Sequence, residues 1–561
     1  MFALGIRYLQ GIAVGSHGEH GHVEWPPHPA RVFMAMVAAH YQTGADAAER
    51  AALRWLEELP DPPEIHAPDA EPCGVVTQYV PVNDDTSQFY FKQGKPTFFQ
   101  EISGTSFRRN RQERTFARAS LASDTVVLSW PNAEPTPEKR EALAALCGKV
   151  TRVGHSTSLV QMWLADAFPA DLQQWVVDEK RSTHLLRVPK AGTLAELDRV
   201  FNGEAIARYC DLKVAEDEAE SVAAAAAKAH AITKAEGATK EAKKDAKIMA
   251  DMTKAAAKAA QEARATAFPA GEPPQQRPRI STYAGYVKAE ETSEPSAASG
   301  SVFSPHLVVF TLEREDGPYR QLDLACTLAL TDRWREALAS HANDLSPEAQ
   351  GLITGHAPGG APAQIAHTAF LPLAFVGHPH ADGRLPGVAL ALPDGRSGEV
   401  RSEVLRAAAR VCKEGLKLGR LGVWKIASSM MACPLETLRP ATWTAHPDGA
   451  TQWSTVTPIA YDHHPKAKAK SEYLAEVSAM ITSGCKRIGL PHPREVIVTP
   501  VSAHLGAPPS HAFPRLRRKD GSERRHTHAI LLFDEAVRGP VIIGAGRYRG
   551  YGLCRPMGME S

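Results

Sequence analysis

Nine residues close to the carboxyl terminus, GAGRYRGYG (544–552), bring together residue types that recognise phosphate. Glycines let backbone N–H groups approach an anion, and Arg547 and Arg549 offer guanidinium forks beside Gly544, Gly546, Gly550 and Gly552. Tyr548 and Tyr551 add rings on which bases can stack. A dinucleotide-binding fold needs a helix and a further strand after such a loop. Only LCRPMGMES follows here, with Pro556 and Gly558 inside it, so an anion must be held by the loop itself. The apolar runs at 529–533 and 541–543 read as two adjacent strands, with the loop capping the second.

Two basic clusters stand out. FRRNRQER (107–114) sets Arg108, Arg109, Arg111 and Arg114 against Glu113. RLRRKDGSERR (515–525) carries Arg515, Arg517, Arg518, Lys519, Arg524 and Arg525 and reads as a hairpin turning at Asp520 and Gly521. A charge run is most often a solvated face, yet a basic hairpin just ahead of a glycine-rich loop is placed to clamp phosphates. Such contacts position a nucleic acid without reading its sequence, and weaken steeply with salt.

Histidine can give or take a proton near neutrality, and the chain has 23. His17, Glu19, His20 and His22 in HGEHGH have spacing suited to a divalent metal but no apolar framework, and read as a solvated loop. His378 and His380, in HPHADG, either fix a turn by bonding Asp382 or contact a ligand. His155 in RVGHSTS reads as a turn or packed residue, with Lys149 and Arg152 near enough in sequence to meet phosphate.

The 561 residues have a formal net charge of +1, so a polyanion site must be a local patch. The length predicts two to four domains, and 43% apolar residues supply their cores. Eight cysteines without a CxxC pair argue against zinc and disulfides and for a reducing cytoplasm. Arg7 interrupts the apolar amino terminus, which reads as a strand rather than a signal peptide, and no run is long enough to span a membrane.

Proline-initiated helices are expected near 26–44 and 137–146, and strands at the amino terminus and 124–130. From Val214 to Ala267 the chain is rich in alanine, lysine and glutamate, with too few apolar residues for a continuous stripe. This predicts a solvated helix or helical hairpin. Beyond it, 306–314 reads as a strand and 331–342 as a helix capped by Thr331 or Asp332. Two further strands are expected around an Asp-Gly turn in HPHADG, then a strand, a helix from about Ser471 and a strand at 495–503. The fold class is α+β: tandem ferredoxin-like modules, two in the second half and one degenerate copy in the first.

LGIRYLQG, EWPPHPARVFMAMVAAHY, RVGHSTSLV, HTAFLPLAFVGHPHADGRLPGVALALP, WSTVTPIAYDHHPK, RIGLPHP and GAGRYRGYGLCRPM together resemble the fused RAMP subunit of type I-G (formerly type I-U) CRISPR systems. The resemblance spans nearly the whole chain apart from the alanine-rich insertion. It implies a Cas-five-like half over 1–213, holding the guide's 5′ handle and abutting other subunits. The insertion and a proline-rich linker cover 214–300. A Cas-six-like half over 301–561 would cleave precursor CRISPR RNA and keep the repeat's 3′ hairpin. The implied partners are repeat RNA, mature guide RNA and the backbone and large subunits of a Cascade complex, with no membrane, metal or cofactor.

In nucleases of this kind the RNA's own 2′-hydroxyl attacks the adjacent phosphate, which calls for a base, an acid and a cation. Their catalytic histidine commonly follows the first helix of a ferredoxin module. In LITGHAPGGAPAQIAH that nominates His356 and, at the next strand's start, His367. His378 and His380 are further candidates for catalysis or RNA contact, and His463 and His464 for the acid. The glycine-rich loop, lying on RNA in RAMP proteins, carries over as Gly544, Gly546, Arg547, Arg549, Gly550 and Gly552. The alternative is an RNA-binding subunit without catalysis.

Overall fold

The computed structural model describes residues 1–17, 22–73, 77–81, 91–92, 95–96, 111–169, 171–235, 238–271, 278, 280–289, 299–314, 321–357, 360–361, 363, 365–428, 435–518 and 520–558, with backbone alone at 16–17, 22, 77–81, 91–92, 95–96 and 111–115. They form two units: 1–189 with 282–561, and 190–281.

The first unit opens with β1 (Phe2–Tyr8), buried on both faces except at Arg7 as a central strand is. Helix α1 (Pro29–Gln42) starts on a proline, whose missing N–H costs nothing in the first turn, and buries Val32, Phe33, Met36 and Val37 along one stripe. Asp46 caps α2 (Ala47–Glu57) by accepting the N–H groups of Ala48 and Glu49 at 2.8 and 3.0 Å. Then come β2 (Glu64–Ala67), β3 (Thr125–Trp130), α3 (Pro137–Cys147) and β4 (Val160–Leu164). The strands lie antiparallel in the order β4-β1-β3-β2. That is a full ferredoxin-like module, not the degenerate copy expected. The long excursion between β2 and β3 hides its repeat in the sequence.

The same sheet continues beyond β2 through β5 (Gln173–Val177) to β6 (His184–Pro189) and β7 (Ser281–Lys288), in the order β5-β7-β6. The second unit is a short helix (Thr193–Val200) and a hairpin of two long ones, α4 (Gly203–Ala235) and α5 (Lys240–Ala267). Arg264 of α5 pairs with Glu216 of α4, and Ile232, Ile248, Met249 and Met252 are exposed. The helices begin eleven residues ahead of Val214, where the composition shifts.

A second module holds β8 (Val308–Arg314), α6 (Thr327–Ser340), α7 (Pro347–Thr354), β9 (Ala369–Leu373), β10 (Gly387–Ala391), α8 (Gly398–Glu414) and β11 (Val423–Ser428). Its order, β9-β10-β8-β11, repeats the first. Helix α6 begins at Thr327 rather than Thr331, because Asp323 caps a preceding 3-10 turn and frees Thr331 and Asp332 for other partners. The β9–β10 connection runs through 374–386 rather than closing tightly at Asp382-Gly383.

The third module is β12 (Ala450–Thr455), α9 (Lys470–Arg487), β13 (Glu495–Thr499), β14 (His526–Arg538) and β15 (Cys554–Pro556), ordered β13-β14-β12-β15. Where its second helix belongs, between third and fourth strands, stands the glycine-rich loop. The two strands expected at 529–543 are one long strand. Val541, Ile542 and Ile543 are core residues after it, joined to the sheet side by a single bridge from Ile542 to Leu553. The second and third modules share one hydrophobic core that includes Trp334, Trp443 and Trp453, all fully buried.

Candidate functional site

The glycines of the loop are spent on packing. All four are buried. Gly552 has φ +74°, and a Cβ there would stand 1.8 Å from the Ile543 carbonyl oxygen. At Gly544 (φ +93°) it would meet the Ala460 carbonyl at 2.5 Å. At Gly550 it would strike Thr327 and Pro372, and at Gly546 Leu516 and Tyr551. Tyr551 is fully buried with its hydroxyl donating to the Pro514 carbonyl, so it is a core residue and not a stacking platform for bases.

The loop's outward face is the 3-10 turn Arg547–Arg549, which lies on β9 and α6. Asp332 of α6 accepts the Nε and Nη2 N–H groups of Arg549 on its two carboxylate oxygens, and the Thr331 hydroxyl donates to the Arg549 carbonyl at 3.0 Å. The Arg549 fork is therefore engaged within the protein. Tyr548 stacks on the His367 ring, 3.5 Å away at 23°, and the Arg547 guanidinium lies over the Tyr548 ring at 4.6 Å. Two segments nominated separately from sequence thus meet.

One turn further along α6, Arg335 points at the end of α7. Gly355, at φ +73°, closes that helix in a left-handed cap and turns His356 outward. The last helical carbonyl, Thr354, receives the Arg335 Nη2–H at 2.7 Å and lies 3.0 Å from His356 Nδ1. A carbonyl can only accept, so Nδ1 carries the proton and Nε2 is the proton-accepting nitrogen. The His356 side chain is exposed; His367 is half-buried, its Nε2 2.7 Å from where a Gly355 Cβ would be. Burial, with Arg335, Arg547 and His356 adding to it, pulls the His367 pKa down to about 4, against the Ile365 backbone, so His367 is neutral at pH 7.

On its other side the turn borders a cavity of about 550 Å³, lined by Leu516, Arg517, Arg518, Asp520, Arg524, Ala545 and Arg549. The chain turns back at Asp520 and Gly521, with Arg518 N–H bonded to the Ser522 carbonyl at 2.7 Å. Arg524 donates to the Tyr461 and Asp462 carbonyls at 2.9 and 2.6 Å. Its pKa is lowered by burial and by Arg518, the expected response of a cation crowded by another. Arg518 Nε is buried without a hydrogen-bond partner. Arg515 lies 3.8 Å from Glu523, and Arg525 sits at the foot of the hairpin.

Other candidates fall elsewhere. His378 and His380 follow β9 in the chain, whereas His367 precedes it, and they lie in the β9–β10 connection. His378 Nδ1 accepts the His380 N–H at 3.1 Å, and Asp382 accepts the Arg384 N–H rather than a histidine's. His155 packs on Phe116 and Thr157, and His463 lies 3.9 Å from Glu476. Arg108, Arg109 and Lys519, with Glu19 and His20, lie outside the described residues, as do the side chains of Arg111, Arg114, His17 and His22. Sequence reasoning missed Thr331, Asp332 and Arg335; that Arg335 follows Asp332 by three residues and Thr331 by four in TDRWR is the one local signal that it shares a helix face with them.

Among the described residues no helix is long and apolar enough to cross a membrane. Residues 2–219 match the model of a family described as CRISPR-associated protein, GSU0054 family. No curated protein matches the chain. The family match supports a CRISPR-associated role, and its span covers the first module.

Proposed function

We propose that the protein is an endoribonuclease that cleaves CRISPR precursor RNA within its repeats by metal-independent attack of a 2′-hydroxyl, and stays on the product as the fused two-half subunit of a type I-G Cascade complex. In this reading the first half holds the guide's 5′ handle and meets the other subunits, while the second binds and cuts the repeat. The observation that carries it is the shared Thr354 carbonyl, which holds an exposed imidazole of fixed tautomer beside a guanidinium. The CRISPR-associated family match over 2–219 supports the setting.

In the reaction the 2′-oxygen bonds to phosphorus as its proton leaves, the bond from phosphorus to the 5′-oxygen breaks, and that oxygen takes up a proton. His356 handles proton transfer through Nε2. Arg335 and Arg547 face the negative charge that grows on the phosphorane, where preorganised cations act best. His367, stacked under Tyr548 with its ring against Gly355, is a positioning residue. Arg517, Arg518 and Arg524 hold RNA phosphates at the cavity.

The test is single-turnover cleavage of a labelled cognate repeat in excess EDTA. His356→Ala should slow cutting about 10²- to 10⁴-fold with binding retained, a 2′-deoxy substitution at the cut site should block it, and His367→Ala should weaken binding more than the chemical step. Wild type that binds the repeat and never cuts would make the protein an RNA-holding subunit. Cutting by His356→Ala at the wild-type rate would remove the histidine assignment.

A further inference from the structure

A second cationic constellation joins α1 of the first module to β6, outside the candidate site described above. Glu24 is almost wholly buried, its side chain 1% exposed, yet it is ionised. Arg31 of α1 grips both its oxygens, at 2.6 and 2.8 Å. Arg187 of β6 donates to Oε2 at 2.8 Å and to His28 Nδ1 at 3.2 Å. Burial works to raise the Glu24 pKa, but the Arg31 hydrogen bonds and the charges of Arg31 and Arg187 outweigh it and hold it at about 2. Both guanidiniums therefore converge on one oxygen, locked in direction, with one negative charge between two positive ones. Their side chains remain 29% and 36% exposed. Among the described residues Glu24 is the one carboxylate paired with either.

What borders Arg31 is equally specific. Gly154, at φ +87°, brings its backbone so close that a Cβ would stand 2.8 Å from the Val14 carbonyl and 3.5 Å from Arg31 Cδ, with Nη1 at 3.9 Å. Next in the chain, His155 packs on Phe116 with ring centroids 4.2 Å apart, both rings half-exposed. Ser156 and Thr157 then present exposed side chains. Oriented guanidiniums recognise phosphate, and partly exposed rings beside them accept bases.

We propose that Arg31 and Arg187, aligned by buried Glu24, form a phosphate clamp for single-stranded RNA, with the Phe116–His155 pair as the adjoining base platform. The clamp is independent of the cleavage chemistry. A free inorganic phosphate offers the same group without a base, and the rings favour the nucleic acid.

The test uses the full chain and a labelled, fully 2′-O-methylated single-stranded oligonucleotide, which cannot be cut by 2′-hydroxyl attack, so binding is read apart from catalysis. Arg187→Gln leaves Glu24 paired with Arg31 and His28. It should weaken binding about tenfold, the loss of one charge-assisted contact, and flatten the dependence of log affinity on log salt by about 0.7. Arg187→Lys, which keeps the charge and loses the fork, should restore the salt slope, and it decides the matter should the glutamine variant not fold. Affinity and slope equal to wild type in a variant with wild-type melting would overturn the proposal, as would absence of binding by wild type. A melting rise with inorganic phosphate at matched ionic strength, lost in Arg187→Gln while oligonucleotide affinity is unchanged, would overturn it in favour of a free anion.

Discussion

Replacing Glu24 by glutamine removes the only described carboxylate between Arg31 and Arg187, and the structure fixes how that loss should vary with pH. The Glu24 pKa falls from the ordinary 4.5 to about 2, because the Arg31 hydrogen bonds and the neighbouring cations overcome the upward pull of burial. A carboxylate whose folded value lies below its unfolded one stabilises the native state above the unfolded value. That stability is lost as pH falls through 4.5 towards 2. A shift of this size corresponds to about 3 kcal/mol. Glu24→Gln should therefore open the segments around α1 and β6 by about 3 kcal/mol at pH 7, and the gap between wild type and variant should close as pH falls towards 2. Hydrogen exchange followed by mass spectrometry, corrected for intrinsic rates, reads this locally, which suits a chain too large to unfold as one unit. A gap that stays constant from pH 7 to pH 3 would refute the reasoning, since the amide would then be costing packing and not charge.

Gly552→Ala should destabilise the carboxyl-terminal module by more than about 2 kcal/mol, because its Cβ meets backbone and no rotamer relieves it. Gly558→Ala, at φ +78° with nothing within 4 Å, should cost only about 1 kcal/mol of backbone strain, and the two melting temperatures should separate accordingly. Tyr548→Leu removes the ring that covers His367, so the His367 pKa should climb from about 4 towards 6.5 in a titration of ¹³C-labelled imidazoles. The same variant should lose the part of the wild type's stability that is present above pH 6.5 and falls away towards pH 4.

Much of the scaffold was legible because it rests on local chemistry. Prolines start α1 and α3, apolar spacing marks β3, β8 and α9, and the alanine-rich composition marks the helical insertion. The errors came where distant partners decide. Thr331 and Asp332 look like a helix cap in sequence, but α6 starts earlier and both bind Arg549, more than 200 residues away. The run 541–543 is as apolar as a strand, and only the turn after Arg538 shows that it fills the core instead. The third module was hard to see because a loop without periodicity stands where a helix is expected. Among the candidates, the basic hairpin was named from residue type and His356 and His367 from the family resemblance, whereas Arg335 could not be named, since nothing local joins it to Thr354. Tyr551 misled because a tyrosine's hydroxyl is equally content under a buried carbonyl.

The order β5-β7-β6 at the edge of the first sheet has a consequence for synthesis. Strand β6 leaves the ribosome before the helical insertion and β7 after it, yet β6 reaches the sheet only through β7. At bacterial-like elongation rates of about 5–20 residues per second, some 5–20 seconds separate them. During that interval the strand bearing Arg187 waits as an unpaired edge, exposed to mispairing with neighbouring chains on a polysome. A longer insertion would lengthen the wait and leave the finished strand order unchanged.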